Sequence, residues 1–231
     1  MELIDEEGRL FGRVNIVDAL VVVFALAVIA AGAALVLGGS GDTDPSETMY
    51  VTVETTNQPA TALSSGPVTY DGADANVTDV YHTPNRSYLR LALDGDRTDD
   101  GFQFSREPVR LGEKVDVSTE TALTEGTVVE RNTSESFDTE TTPITAETTV
   151  RSAVAAAVST GDEQLVGDTT VATVTGIDTM AVNGTHARLT VTLGLQTRLA
   201  DGMPHYGGRP VRLGRELVVE TDSYEFQAEI T

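Results

Sequence analysis

Pro108-Val109-Arg110-Leu111-Gly112 returns intact as Pro210-Val211-Arg212-Leu213-Gly214, 102 positions later in a chain of 231 residues. A match of that length marks an internal repeat. Its surroundings repeat as well. Arg90-Leu91 precedes the first copy as Arg188-Leu189 precedes the second, and Leu63-Ser64-Ser65-Gly66 has a counterpart in Val158-Ser159-Thr160-Gly161. The spacing between matched pairs grows along the chain, which is the behaviour of loop insertions within one retained order. Two tandem β domains are therefore expected, over 48–130 and 148–231. Residues 131–147, Thr/Glu-rich and without periodicity, are expected as a linker.

Within each copy the dominant period is two. MYVTVET, SYLRLALDG and KVDVSTE in the first copy, and ARLTVTLG, ELVVET and YEFQAEI in the second, alternate apolar and polar residues as half-buried antiparallel strands do. In the shared motif this alternation turns Val109, Leu111, Val211 and Leu213 inward. One short helix is expected per copy: SAVAAAVST, closed by Gly161, and a first-copy equivalent between Pro59 and Gly66. Units this small are best protected as closed or nearly closed barrels, which leave few free strand edges. A sandwich satisfies the same pattern. The fold class is thus mainly β: one N-terminal transmembrane helix, then two duplicated barrel-like domains.

That helix is read at 16–37, IVDALVVVFALAVIAAGAALVL, apolar apart from Asp18. At 1.5 Å per residue it reaches about 33 Å, enough for the hydrocarbon core. Asn15 and Asp18 stand near a capping box, with Asp18 at the positive end of the helix dipole. The run is longer than a typical signal-peptide core; small residues at Ala31 and Ala33 leave cleavage open. Arg9 and Arg13 precede it, and no further Lys or Arg occurs before Arg86. The positive-inside rule therefore puts residues 1–15 in the cytoplasm and everything after the 38–47 linker outside the cell. Four sequons, at Asn76, Asn85, Asn132 and Asn183, suit an exterior location and leave glycosylation open.

The opening stretch from Leu3 through Gly8-Arg9-Leu10-Phe11-Gly12-Arg13 to Asp18, running directly into an apolar helix, resembles the domain-of-unknown-function family DUF4330. VRSAVAAAVSTGD and the PVRLG segments support the likeness. The resemblance implies a single-pass membrane protein with a β-rich domain after the helix, and no activity or catalytic residue comes with it.

Composition removes several chemistries. The chain has no Cys, which excludes disulfides, thiol catalysis and thiolate metal sites. With 36 Asp+Glu against 15 Lys+Arg the net charge is −21, and Lys114 is the only lysine. Such a surface repels nucleic-acid phosphates and suits molar salt, where the Debye length is about 3 Å. No triad, Walker or Rossmann signature is present, so no enzyme activity is expected.

Few residues invite a site, and none is assigned as catalytic, cofactor-binding or metal-binding. Asp96-x-Thr98-x-Asp100-Gly101 followed by Glu107 nearly matches a calcium loop, but its flanks alternate as strands and it reads as a hairpin tip. His82, His186 and His205 are isolated. Arg106, Arg110, Arg209, Arg212 and Arg215 gather about the repeated motif and read as partners for surface acids. Ala27 and Ala31 could seat a second helix. The function expected is a membrane-anchored, extracellular, non-catalytic scaffold of the cell envelope, partnered by the bilayer and by other membrane or envelope proteins. The alternative is a ligand- or cation-binding sensor coupled through the helix to the cytoplasmic end.

Overall fold

The structure, a computed structural model, describes residues 9–10, 14–15, 47–56, 64–99, 101–119 and 122–231. Residues 1–46 and 47–231 form separate compact units. In the first, β1 (Arg9–Leu10) and β2 (Val14–Asn15) pair antiparallel. The transmembrane helix expected at 16–37, with Asp18, Ala27, Ala31 and Ala33, lies outside the described residues, as does most of the 38–47 linker. No helix among the described residues is long and apolar enough to cross a membrane.

The second unit is built from two sheets. The first comprises β3 (Glu47–Thr55), β4 (Gly66–Tyr70), β5 (Ala73–Thr83), β6 (Arg86–Thr98), β7 (Gly101–Phe104), β8 (Glu107–Pro108), β9 (Lys114–Ser118) and β10 (Leu123–Asn132). The second comprises β11 (Thr139–Arg151), β12 (Glu163–Val166), β13 (Thr169–Ala181), β14 (His186–Ala200), β15 (Met203–Tyr206), β16 (Arg209–Pro210), β17 (Glu216–Glu220) and β18 (Glu225–Ile230), with α1 (Ser152–Ala157) after β11.

Alternation explains the strands. In β6, Leu89, Leu91 and Leu93 are fully buried; in β14 the same face carries Leu189, Val191, Leu193 and Leu195. Each sheet closes over its own core, Val51, Val53, Leu91 and Val117 in one and Val174, Leu193, Val219 and Ile230 in the other. The first sheet runs β3-β10-β9-β4-β5-β6, and β3 pairs again with β6, so six strands return on themselves. The second runs β12-β13-β14-β11-β18-β17, the same plan with one junction missing.

That junction is instructive. In the first sheet β4 meets β9 through Thr69 opposite Ser118 and Tyr70 opposite Val117. Asp71 extends the contact: its N–H donates to Asp116 O at 2.9 Å, and its Oδ1 accepts the Asp116 N–H at 2.7 Å. The two-residue turn after β4 is Asp71-Gly72; after β12 it is Gly167-Asp168. Glycine thus stands at the position of the acidic clip, and β12 and β17 do not pair with each other. Tyr224 instead reaches across, its hydroxyl donating to Asp162 Oδ2 at 2.7 Å.

The repeated pentapeptide makes the same bonds twice. Gly112 N–H donates to Val128 O at 2.7 Å, and Gly214 N–H to Ile230 O at 2.8 Å. Both glycines are left-handed, with φ of 81° and 76°, a turn position that glycine fills without strain. Leu111 and Leu213, expected inward, are 55% and 77% exposed. The strand stops at the proline, so alternation no longer applies and each leucine occupies a turn corner.

Other expectations are corrected too. The expected linker 131–147 ends one strand and begins another: its second half lies in β11, paired residue by residue with β14. Arg90-Leu91 does not correspond to Arg188-Leu189. Leu91 and Leu193 hold equivalent places, opposite Val77 and Val174. The second-copy helix is present as α1, but it ends at Ala157 and Gly161 lies beyond it, its N–H bonded to Val174 O at 2.8 Å. Residues 57–63, where the first-copy helix is expected, lie outside the described residues; Gly66 opens β4.

Candidate functional site

A strand normally has one face for its own core and one for solvent. β6 departs from this: besides its leucines, Tyr88 and Arg90 on the opposite face are also buried, each 2% exposed. They are covered by Phe137, in the segment between β10 and β11, and by Arg198 near the end of β14. Tyr81, Tyr88 and Phe137 make a small third cluster apart from both sheet cores. The Tyr81 hydroxyl ties it down, donating to Gln196 O at 2.8 Å. Gly208 packs so closely that a Cβ there would come within 2.6 Å of the Tyr88 hydroxyl oxygen.

Two guanidiniums converge on this aromatic floor. Arg90 stacks on Phe137 at 4.6 Å, and Arg198 lies over Tyr88 at 4.9 Å and Phe137 at 5.7 Å. They share one carboxylate. Arg198 Nη1 donates to Glu130 Oε1 at 2.6 Å, while Arg90 Nη2 stands 4.0 Å from Oε2. Burial pulls the Arg90 pKa below its ordinary value; Glu130 opposes that pull and the Arg198 cation adds to it. Burial also pushes the Tyr88 hydroxyl up to about 12, so it stays neutral. A cleft of about 490 Å³ opens beside these groups, with Arg131, Asn132, Ser134 and Asp201 toward its rim. A second cleft, of about 240 Å³, lies at the unpaired β12–β17 junction, with three acids, Glu163, Glu220 and Asp222, among its apolar and neutral lining residues.

The residues singled out from sequence lie elsewhere. Asp96 and Thr98 sit in β6 and Gly101 in β7, on either side of a hairpin tip; Asp100 is outside the described residues. Neighbouring Arg97 forms a two-pronged pair with Glu47, at 2.6 and 2.9 Å. No group of three or more His, Asp or Glu able to hold a metal is found among the described residues. His82 is buried with its Nδ1 2.9 Å from Ser87 Oγ, and burial lowers its pKa. Its strand partner Ser87 is 5% exposed, so the pair offers no accessible nucleophile. His186 Nδ1 lies 2.9 Å from Thr185 Oγ1 and His205 Nδ1 3.0 Å from Met203 O.

Among the described residues Arg106, Arg110, Arg209, Arg212 and Arg215 form no ion pair with the surface acids expected to hold them. Arg106 sits in a tight turn at φ 73°. Arg215 is instead a clamp on backbone carbonyls, donating to Tyr206 O at 2.6 Å and Arg209 O at 2.9 Å. Asn76, Asn85, Asn132 and Asn183 are all exposed. Alternation alone places Arg90 on a solvent face and carries no sign of its grouping with Glu130, Phe137 and Arg198. Phe137, from the segment between the two sheets, covers Arg90 together with Arg198 of the second sheet.

No curated protein and no solved structure matches the chain. A family model described as a domain of unknown function (DUF4330) matches residues 1–87, ending just inside β6, so the paired arginines lie beyond the matched stretch. Over its first 87 residues the chain resembles the DUF4330 family.

Proposed function

We propose that this chain is a membrane-anchored, extracellular, non-catalytic interaction module of the cell envelope. Residues 16–37 cross the bilayer with the N-terminus in the cytoplasm, and the β unit that follows faces outward as two related barrel-like parts. The observation that carries the reading is the order of the chain: two basic residues, an apolar run broken only by Asp18 near its start, a short polar spacer and then a compact β unit beginning at Glu47. The acidic, lysine-poor surface suits a halophilic exterior, and the exposed sequons agree with it. The module acts by holding other membrane or envelope proteins near the bilayer, and the bilayer itself is its first partner.

The test is crosslinking in native membranes at molar salt, followed by detergent extraction and recovery of the chain. A defined envelope or membrane protein recovered with it is the expected result. Recovery of the chain alone, or release of the chain by carbonate washing, contradicts the reading.

A further inference from the structure

The buried pair of arginines is not electrically complete. Arg90 is 2% and Arg198 7% exposed, and a buried charge is tolerated only when paired and hydrogen-bonded. Glu130 serves Arg198 at 2.6 Å, spends its second oxygen on the Thr52 hydroxyl at 3.2 Å, and stands too far from Arg90 for a hydrogen bond. Asp79, the other acid felt by Arg90, has its oxygens occupied: Oδ1 by the Val80 N–H at 2.8 Å and Oδ2 by the Phe137 N–H at 2.7 Å. Arg90 Nε and Nη1 are left buried without a hydrogen-bond partner. An orphaned donor on a buried charged group carries its full desolvation penalty with nothing to offset it. The acids nearby do not supply the missing acceptor: Glu130 and Asp79 are engaged by other donors, and Asp138 and Asp201 line the cleft without bonding either orphaned atom.

We propose that the cleft bordered by Arg90, Arg131 and Arg198 binds a small oxyanion, presented as a carboxylate or a phosphate group. An arriving oxyanion meets Arg131 at the rim and then the edge of Arg198 that Glu130 leaves open. It reaches Arg90 on the floor as the Glu130 carboxylate gives up its long 4.0 Å contact. The guanidinium fork matches the planar oxygens of such a group, and the Phe137 and Tyr88 rings hold both cations in place for it. Glu130 is then the internal competitor of the ligand, occupying by default the position that the oxyanion takes. The site stands independently of any membrane or scaffold role, since it lies wholly within residues 47–231.

The full-length chain in detergent is titrated with inorganic phosphate, and separately with succinate, in potassium chloride adjusted to constant ionic strength. Thermal midpoint and calorimetric heat are both read. Binding to the folded state alone raises the midpoint with ligand concentration. The expected result is a rise with at least one of the two probes, and which one responds assigns phosphate or carboxylate chemistry. Arg198→Gln loses the response. Arg131→Gln, at an exposed position, weakens it several-fold while leaving the ligand-free midpoint unchanged, so it decides the matter if Arg198→Gln fails to fold. Glu130→Gln moves the other way and tightens binding about tenfold, a sign that a purely structural ion pair would not produce. The proposal is overturned if neither probe shifts the wild-type midpoint beyond equal chloride, or if Arg131→Gln and Glu130→Gln respond as wild type does.

Discussion

His82 shows how a single buried side chain makes stability depend on pH. Among the described residues its ring has no acidic partner, and burial lowers its pKa below the ordinary 6.5. The unfolded chain therefore takes up a proton at a pH where the folded chain does not. Stability is full above 6.5 and falls as pH drops from that value through the lower folded-state value. His82→Gln keeps a polar group beside Ser87 but does not titrate. Its thermal midpoint should stay flat on acidification just below 6.5, where that of the wild type falls; parallel curves would remove His82 as the cause. At this scale sequence patterning reads core residues well. Leu91 and Leu193 are plain from alternation, whereas Leu111 and Leu213 mislead because a glycine with left-handed backbone has already turned the chain beside them.

Elements differ in how much of their environment is local. Strands β6 and β14 carry their pattern in their own residues and are legible at once. Strand β11 is not, because TETTPITAETTVR holds few large apolar residues and contains a proline. Pro143 lies opposite Gly194 of β14, and β18 pairs with the other edge of β11 at Ala146 and Glu147, beyond the proline. No neighbour therefore asks Pro143 for the N–H it lacks, and the strand tolerates it. The junction between β4 and β9 rests on equally little, two residue pairs and the Asp71 clip. Asp71→Ala removes the acceptor for the Asp116 N–H while retaining the demanding φ of 48°. It should cost about 1 kcal/mol and speed hydrogen exchange at Asp116 specifically. Asp71→Asn, which keeps the oxygen and accepts left-handed backbone, should restore protection. Equal exchange in all three proteins would show that the clip carries no closure energy.

For the whole molecule, the charge of −21 is not spread evenly. On adjacent strands Glu216 lies opposite Glu229, Glu220 opposite Glu225, and Glu229 also opposite Glu147 on its other side. All five side chains are exposed. Like charges placed directly across a ladder destabilise a sheet, and no cation among the described residues is paired with any of them. The register is tolerable only where counterions stand between the carboxylates. Charges are screened beyond about 3 Å at molar salt but only beyond about 10 Å at 0.1 M, so the penalty grows as salt is removed. Glu229 sits at the centre of this row and faces two carboxylates at once. Glu229→Gln should raise the unfolding free energy by about 0.4–2 kcal/mol in 0.1 M potassium chloride, at 0.2–1 kcal/mol for each relieved pair. In molar salt the same substitution should change it little. Denaturant titrations of wild type and variant at both salt levels make the comparison. A gain of equal size in both would mean that packing, not charge, limits this sheet, and would detach the acidic surface from any requirement for salt.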